Sequence, residues 1–517
     1  MNKIVKKLFI LVLFLGLFFI NIPSANAAII PLPNQNQAPK MITMSLYDDY
    51  KSMAFNYNTA WDTDTILQVV LDGEDFSGEN IKEYVGTTEK SKVLNDGFIH
   101  KVVATNLEAN MKYLYRLGDK ELNNWSDVGS FTTANNSDSL RFIHISDPQG
   151  YEEIHYDNYN ELLTIAVANS NPNFILLTGD VVNASYKDAA PNLQQWHWAL
   201  TDQKEILQNI PIMAVAGNHD EASYDFVSRF NNKLALDSDT VSGTYYSFDY
   251  NNVHFVALNT NDTIKELDSL RGLSTAQIYW LENDLEKNKS KFTIVMMHKG
   301  IYDAGGHCSN MDGEDADIAL IREQLTPIFA KYKVDLVLQG HDHLYSRSYP
   351  IIGNSGPEFK PLVDNSVIKE EVLYNDLIFD MYNNPNGTIY LNSGTASGSK
   401  YYAPVNYDSE MIPIEVADGS NDRMYTEFVI EGDKLYATVY KLNNKRLTVF
   451  DTFAISKDSS QLDTNLGTES GSDELIEHNY TIYIILGAIL LILLIAYPFV
   501  IKFIKKKRGG NRWKILC

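Results

Sequence analysis

The sequence predicts an all-β sandwich domain followed by an α/β domain, with one apolar segment near each end of the chain. Three observations carry this. Period-two apolar runs broken by turn residues fill residues 39–133, the pattern of a β sandwich. From Leu140, brief apolar runs alternate with stretches of helical periodicity, as in a sheet whose strands are buried on both faces. Two charge-free apolar stretches, residues 8–20 and 481–501, lie outside both regions.

The N-terminus reads as an export signal spanning residues 1–27. Lys3, Lys6 and Lys7 precede the apolar core, and Ala25-Asn26-Ala27 supplies small residues for cleavage. In the following domain, residues 39–134, alternating runs occur at 53–57, 66–70 and 100–103. Tyr113 and Tyr115 then alternate along a late strand, followed by Trp125 and Phe131. This domain resembles a fibronectin type III-like domain, including its tyrosine-bearing strand. The polar residues 134–139 form the linker.

In the α/β region, residues 140–456, strands are expected at 141–145, 174–177, 212–215, 292–296 and 334–338. Helices are expected around 159–168, 193–208, 276–286 and 317–332, with Ser274 and Asp315 or Asp317 as N-caps. β character returns over 387–455, and these strands are expected in the second sheet of the same domain. Residues 457–480 are rich in Ser, Thr, Asp and Gly and read as a flexible stalk. Residues 481–501 are long enough to span a bilayer as a helix. Lys502, Lys505, Lys506, Lys507 and Arg508 follow at once, a stop-transfer pattern that places the basic tail 502–517 in the cytoplasm.

Charge and cysteine usage narrow the classes. The chain carries 43 basic and 66 acidic residues, a net charge of −23. Three lysines lie in the leader, seven basic residues lie beyond residue 501, and neither end holds an acid. The intervening surface is therefore more acidic still, which argues against nucleic acid or anionic lipid as a partner. The two cysteines, Cys308 and Cys517, fall on opposite sides of the expected membrane, so the outer region must be stable through its core alone. With an Asn- and Lys-rich composition, this suggests a bacterial surface protein.

Five short motifs follow five of the apolar runs: Asp147-Pro148-Gln149, Gly179-Asp180, Gly217-Asn218-His219-Asp220, His298, and Gly340-His341-Asp342-His343. Each sits just beyond the C-terminal end of its strand, the edge where loops of α/β sheets gather to bind ligands. Carboxylate, amide and imidazole donors without a thiolate suit Mn, Fe or Zn. Two such ions around a shared carboxylate are a recurrent device for hydrolysing phosphate esters.

The order and spacing of these motifs resemble the calcineurin-like metallophosphoesterase superfamily. With the β domain in front, residues 39–456 resemble its purple-acid-phosphatase-like branch. The resemblance implies a four-layer αββα domain holding two metal ions. It implies Asp147 and His343 on the first metal, Asp180 bridging, and Asn218, His298 and His341 on the second. His219 would protonate the leaving oxygen with Asp220 orienting it, while a metal-activated water attacks phosphorus in line. Further matches are Tyr345, Arg347 and Pro350, then Gly387 to Tyr390 with Gly394 and Thr395.

Two positions depart from the pattern. Gln149 stands where superfamily members often carry histidine; it is a candidate metal ligand or a hydrogen-bond partner of a metal-bound water. Asn183 stands where the purple enzymes typically carry tyrosine, with Tyr186 three residues further on. Without that phenolate no purple colour or dedicated ferric site is expected. His307, after the His298 loop, is a candidate substrate contact. Arg347 is another, weighed against a structural ion pair. His100, His144 and His254 read as structural histidines and Cys308 as an inert thiol, while Tyr245-Tyr246 and Tyr401-Tyr402 either line a cleft or pack.

The expectation is a membrane-tethered extracellular phosphomonoesterase, anchored by a single C-terminal helix. Two alternatives stay open: a phosphodiesterase or nucleotide hydrolase on the same core, and a non-catalytic surface binding protein with a vestigial metal site.

Overall fold

The computed structural model describes residues 38–458, apart from 48–49, 94, 135–136, 185–188, 224–225, 236–243, 267–268, 310–315, 357–358 and 406–409. The expected signal peptide, membrane helix and basic tail lie outside the described residues, as does the stalk beyond Asp458. Among the described residues no helix is long and apolar enough to cross a membrane.

The first domain is two packed antiparallel sheets. One runs in the order Lys40–Leu46, Met53–Thr59, Phe98–Ala104, Thr87–Lys90. The other is built around Ile66–Leu71 and Lys112–Asp119. Period-two alternation turns Tyr113, Tyr115 and Leu117 into the space between the sheets, where they meet Phe55 and Phe131. The Tyr115 ring lies 4.6 Å from that of Phe55, an aromatic contact that adds to simple burial.

The second domain stacks two sheets with helices on both outer faces. Its eight-stranded sheet runs Ile212–Ala214, Phe174–Leu177, Ser139–Ile145, Arg423–Glu431, Lys434–Asn443, Arg446–Ser456, Leu377–Asn383, Ile368–Tyr374. Its seven-stranded sheet runs Tyr246–Tyr250, Val253–Ala257, Phe292–Lys299, Leu336–Gly340, Ile389–Ser393, Tyr345–Ser348, Ile414–Asp418. Between them Phe142 stacks on Phe174 and Phe428 and meets the edge of Phe255. Outside the first sheet lies the helix Glu153–Ser170, and outside the second lie Thr275–Lys287 and Ala316–Tyr332.

Three local outcomes differ from expectation. The strands after residue 387 divide between the sheets. Ile389–Ser393 enters the seven-stranded sheet, whereas Arg423–Glu431 pairs antiparallel with Ser139–Ile145 in the eight-stranded one. Arg423–Glu431 is buried on both faces along all but its two ends, which suits a central strand of either sheet. The single helix expected over 193–208 is broken into Ala189–Trp196, a π turn His197–Thr201 and Lys204–Leu207. The wider turn keeps Trp196, Ala199 and Leu200 in one core. The helix Glu153–Ser170 starts earlier than its apolar stripe, because Glu152 and His155 cap it reciprocally. Ser274 caps its helix as expected, accepting from the Gln277 N–H at 3.2 Å.

Candidate functional site

Four of the five motif loops are stitched to one another by hydrogen bonds from backbone N–H groups. The Asp147 N–H donates to the Gly179 carbonyl at 3.2 Å, and the Gln149 N–H to the Asp180 carbonyl at 3.0 Å. The His341 N–H donates to Asp147 Oδ2 at 3.1 Å and the His219 N–H to Asp180 Oδ1 at 2.9 Å. Two glycines make this closeness possible. A Cβ on Gly217 would stand 2.1 Å from Asp180 Oδ1, and one on Gly340 would stand 2.1 Å from Ser146 Oγ. Asp147, Asp180 and His341 all sit in the left-handed region, with φ of 52°, 50° and 75°. Strained backbone of this kind persists where the surroundings over-determine it, and it clusters at functional sites.

The side chains converge in two groups that share Asp180. In the first group, His298 Nε2 lies 3.0 Å from Asn218 Oδ1 and 3.3 Å from Asp180 Oδ2. The ligand atoms of Asp180, His298 and His341 all lie within 4.8 Å of one another. Nδ1 of His298 lies 2.7 Å from the Thr178 carbonyl, so that nitrogen carries a proton and Nε2 faces the oxygens. In the second group, Asp147 Oδ1 lies 3.5 Å from His343 Nε2. Asp147 Oδ2 is taken by the Ser146 hydroxyl and the His341 N–H, while Oδ1 is buried with no hydrogen-bond partner.

These donors fit a pair of cations. A buried carboxylate oxygen without a donor is costly, and lone pairs facing one another across 3.0 to 3.5 Å call for positive charge between them. The titration behaviour agrees. Burial pushes Asp147 up to about 7, against the pull of His298. Burial would also raise Asp180, but the imidazoles of His298, His219 and His341 hold it well below the carboxylate range. Burial would lower His298, yet Asp180 and Asp147 lift it to about 9. The carboxylates thus draw a proton into the place a metal would take. Burial brings His343 down to about 3, leaving it a neutral ligand.

The remaining residues expected at the site separate clearly. His219 stands beside Asp180; burial lowers it below the ordinary imidazole value, and the Ala184 backbone bonds to its ring. Asp220, expected to orient His219, accepts from the backbone N–H groups of Val181, Val182 and Gly217 at 2.9, 3.2 and 2.9 Å. It braces the Asp180 and Gly217 loops against each other. His307 does reach the site, with its ring 4.5 Å from His341 and 5.6 Å from Tyr402. Arg347, a candidate substrate contact, is a structural residue: its buried guanidinium bonds to Asp451, Glu415 and Tyr382. Gln149 does not turn its oxygen inward. Its amide nitrogen donates to Asp180 Oδ2 at 2.7 Å, and Oε1 accepts from Lys400 at 3.2 Å.

Two contributors carried little signal in the sequence. Tyr402 stands 5.0 Å ring to ring from His343, so of that tyrosine pair it is Tyr402 that lines the site. Lys400 donates to Gln149 Oε1 and to Asn183 Oδ1 at 3.1 Å, joining the two positions that depart from the family pattern. A lone lysine in a Ser-Gly-Ser-Lys turn, 251 and 217 residues from its partners, has no motif to announce it. His144 and His254 are structural as expected, His144 lying between Thr178 and Ser393.

Residues 140–345 match the calcineurin-like phosphoesterase family and residues 39–133 match the purple acid phosphatase N-terminal domain. Acid phosphatase type 7 of Mus musculus is 26% identical over 329 residues, covering 59% of this chain and 66% of that protein. The Fe(3+)-Zn(2+) purple acid phosphatase 12 of Arabidopsis thaliana is 25% identical over 280 residues, covering 49% and 52%. The chain thus spans about half to two thirds of the length of these relatives. In fold it is similar to purple acid phosphatase PPD1 from yellow lupin, with a TM-score of 0.61 at 18% identity over 84% of this chain and 78% of that one. It is also similar to PhoD, with a TM-score of 0.58 at 15% identity over 86% and 95%. The chain therefore carries a calcineurin-like phosphoesterase domain preceded by a purple acid phosphatase N-terminal domain.

Proposed function

We propose that this chain is a two-metal phosphohydrolase that cleaves phosphomonoesters outside the cell, anchored by one C-terminal helix. The observation that carries the chemistry is the convergence of Asp147, Asp180, Asn218, His298, His341 and His343, with one carboxylate oxygen buried and unpartnered among them. Asp147, Asp180 and His343 would hold one ion, and Asp180, Asn218, His298 and His341 the other. Ions bound there supply Lewis-acid activation of water and offset charge on the phosphoryl oxygens. His219, steadied by the Ala184 backbone, delivers the proton to the leaving oxygen. His307 and Tyr402 stand on the side of His341 and His343 and form a wall for the ester group. The export signal at 1–27, the apolar residues 481–501 and the basic residues after them support the placement outside the cell.

The test uses the full chain, purified in detergent, stripped of metal and reloaded with Mn, Zn or Fe. Turnover of p-nitrophenyl phosphate should require metal, and His219→Ala should lower kcat by about 10²–10⁴ at unchanged metal content. No turnover of either p-nitrophenyl phosphate or its bis ester, with two metal equivalents bound, defeats the reading. Preference for the bis ester moves it to a diesterase. Loss of the outer domain from intact cells on added protease tests the anchoring.

A further inference from the structure

We propose that Lys400 makes the first metal position, that of Asp147 and His343, the weaker of the two and selects against highly charged ions there. The inference rests on the two-metal reading above and names the residue that regulates one half of that site.

The loop carrying Lys400 is built onto the first motif. The Ala396 N–H donates to the Ser146 carbonyl at 2.9 Å, and Thr395 Oγ1 donates to the Asp147 carbonyl at 3.1 Å. Ser397 Oγ and Ser399 Oγ both donate to the Gln149 carbonyl, at 2.7 and 2.6 Å. This strap delivers the half-buried Lys400 ammonium to Gln149 Oε1 and Asn183 Oδ1. Lysine can only donate, so the Gln149 atom facing it must be the oxygen. On the other side, Asp180 Oδ2 can only accept, so the atom facing it must be the amide nitrogen. Both neighbours demand the same orientation.

Two effects follow for the first position. Gln149 offers it N–H groups, which cannot coordinate a cation, so the protein ligands there reduce to Asp147, Asp180 and His343. A fixed positive charge also stands one amide away and repels any ion in proportion to that ion's charge. The second position has Asn218, His298 and His341 besides Asp180.

The experiment is calorimetric titration of the metal-free full chain with Mn²⁺ and with Zn²⁺, beside Lys400→Met, Lys400→Gln and Lys400→Arg. Unfolding temperatures of the metal-free forms confirm that each variant is folded. The wild type should bind one equivalent tightly and a second at least about tenfold more weakly. Both uncharged variants should tighten the weaker equivalent by about tenfold or more and leave the stronger one alone, while the arginine variant should stay near wild type. Equal affinities in the wild type, or a weaker equivalent unmoved in both uncharged variants, would overturn the role of Lys400 and leave the two-metal reading standing. A folded wild type that binds no second equivalent at any concentration would overturn the two-metal reading itself.

Discussion

Replacing Arg347 by methionine is expected to destabilise the fold by about 3 kcal/mol and to leave KM unchanged. The figure comes from what the guanidinium holds. Nε and Nη2 fork onto Asp451 at 2.7 and 3.2 Å, and Nη1 reaches Glu415 at 2.6 Å and the Tyr382 hydroxyl at 2.8 Å. Removing one partner of a buried ion pair costs about 3–5 kcal/mol, because the other charge is stranded. Glu415 keeps Lys369 at 2.7 Å, so Asp451 alone is stranded, with the Tyr345 hydroxyl and the Thr452 backbone N–H still donating to it, and the lower end of that range applies. The pH dependence has a definite sign. Burial would raise Asp451, but Arg347 holds it below the usual carboxylate value, so the pair contributes above the unfolded carboxylate pKa and its contribution fades as pH falls through the folded one. The gap between wild type and Arg347→Met should therefore shrink below about pH 4. Urea unfolding followed by near-ultraviolet circular dichroism measures the stability, and Asp451→Asn in the Arg347→Met background should recover part of the loss. An unaltered unfolding midpoint together with a raised KM would show that Arg347 meets substrate after all, and the structural argument would fail.

Two other perturbations test separate parts of the fold and site. His254 lies between Asp249 and Asp284 at 2.7 and 2.8 Å; burial would lower it, but the two carboxylates lift it to about 9. Its contribution is complete below the unfolded value near 6.5 and is lost as pH rises through 9. Because Asp249 is exposed, His254→Gln should cost only about 1–2 kcal/mol at pH 6 and nothing near pH 10, so a pH-independent difference in unfolding free energy would refute the assignment. Gly217→Ala places a methyl 2.1 Å from Asp180 Oδ1 and 2.2 Å from its backbone nitrogen, so it must displace the shared carboxylate. Metal affinity should fall by about 100-fold or more, and wild-type affinity in that variant would show that the loops yield more readily than their packing implies.

Position along the chain was legible wherever local pattern and burial agree. Phe174–Leu177 is short, apolar on both faces and followed by Gly179-Asp180, so strand and motif identify each other. Membership of one sheet or the other was not legible for Arg423–Glu431, because a strand buried on both faces satisfies either. The hairpin Ile368–Tyr374 with Leu377–Asn383 had a readable signal that went unused. Asn375 and Asp376 both take positive φ at its turn, 47° and 63°, as a two-residue loop of primed type requires. At the site, residues that bind through their own donor atoms announced themselves by type and spacing. Those that act through a neighbour did not. Asp220 looks from sequence like the partner of His219, and only the backbone geometry turns it towards Val181 and Gly217. Lys400 reaches Gln149 across the fold, and no local window contains both.

The β sandwich bears on the chemistry through the two flanks of the Gly217-Asn218-His219-Asp220 segment. On the entry side, Ser45 Oγ donates to the Ile212 carbonyl at 3.3 Å and the Tyr115 hydroxyl to the Gln208 carbonyl at 2.9 Å, where the strand leading to Gly217 begins. On the exit side, the carbonyls of Val227 and Ser228 accept from Lys101 at 2.7 Å and Asn56 at 2.9 Å, while Asn231 donates to the Phe55 carbonyl at 3.0 Å. Arg229 then pairs with Asp96 at 3.0 Å, both side chains fully buried. An ion pair so enclosed contributes little net stability, because desolvation offsets the attraction. It does penalise every docking geometry that separates the charges, so its effect is to fix one arrangement of the domains. Both ends of the segment bearing the proton donor are therefore pinned to the neighbouring domain, and the sandwich acts on the site as a template for the backbone that positions His219.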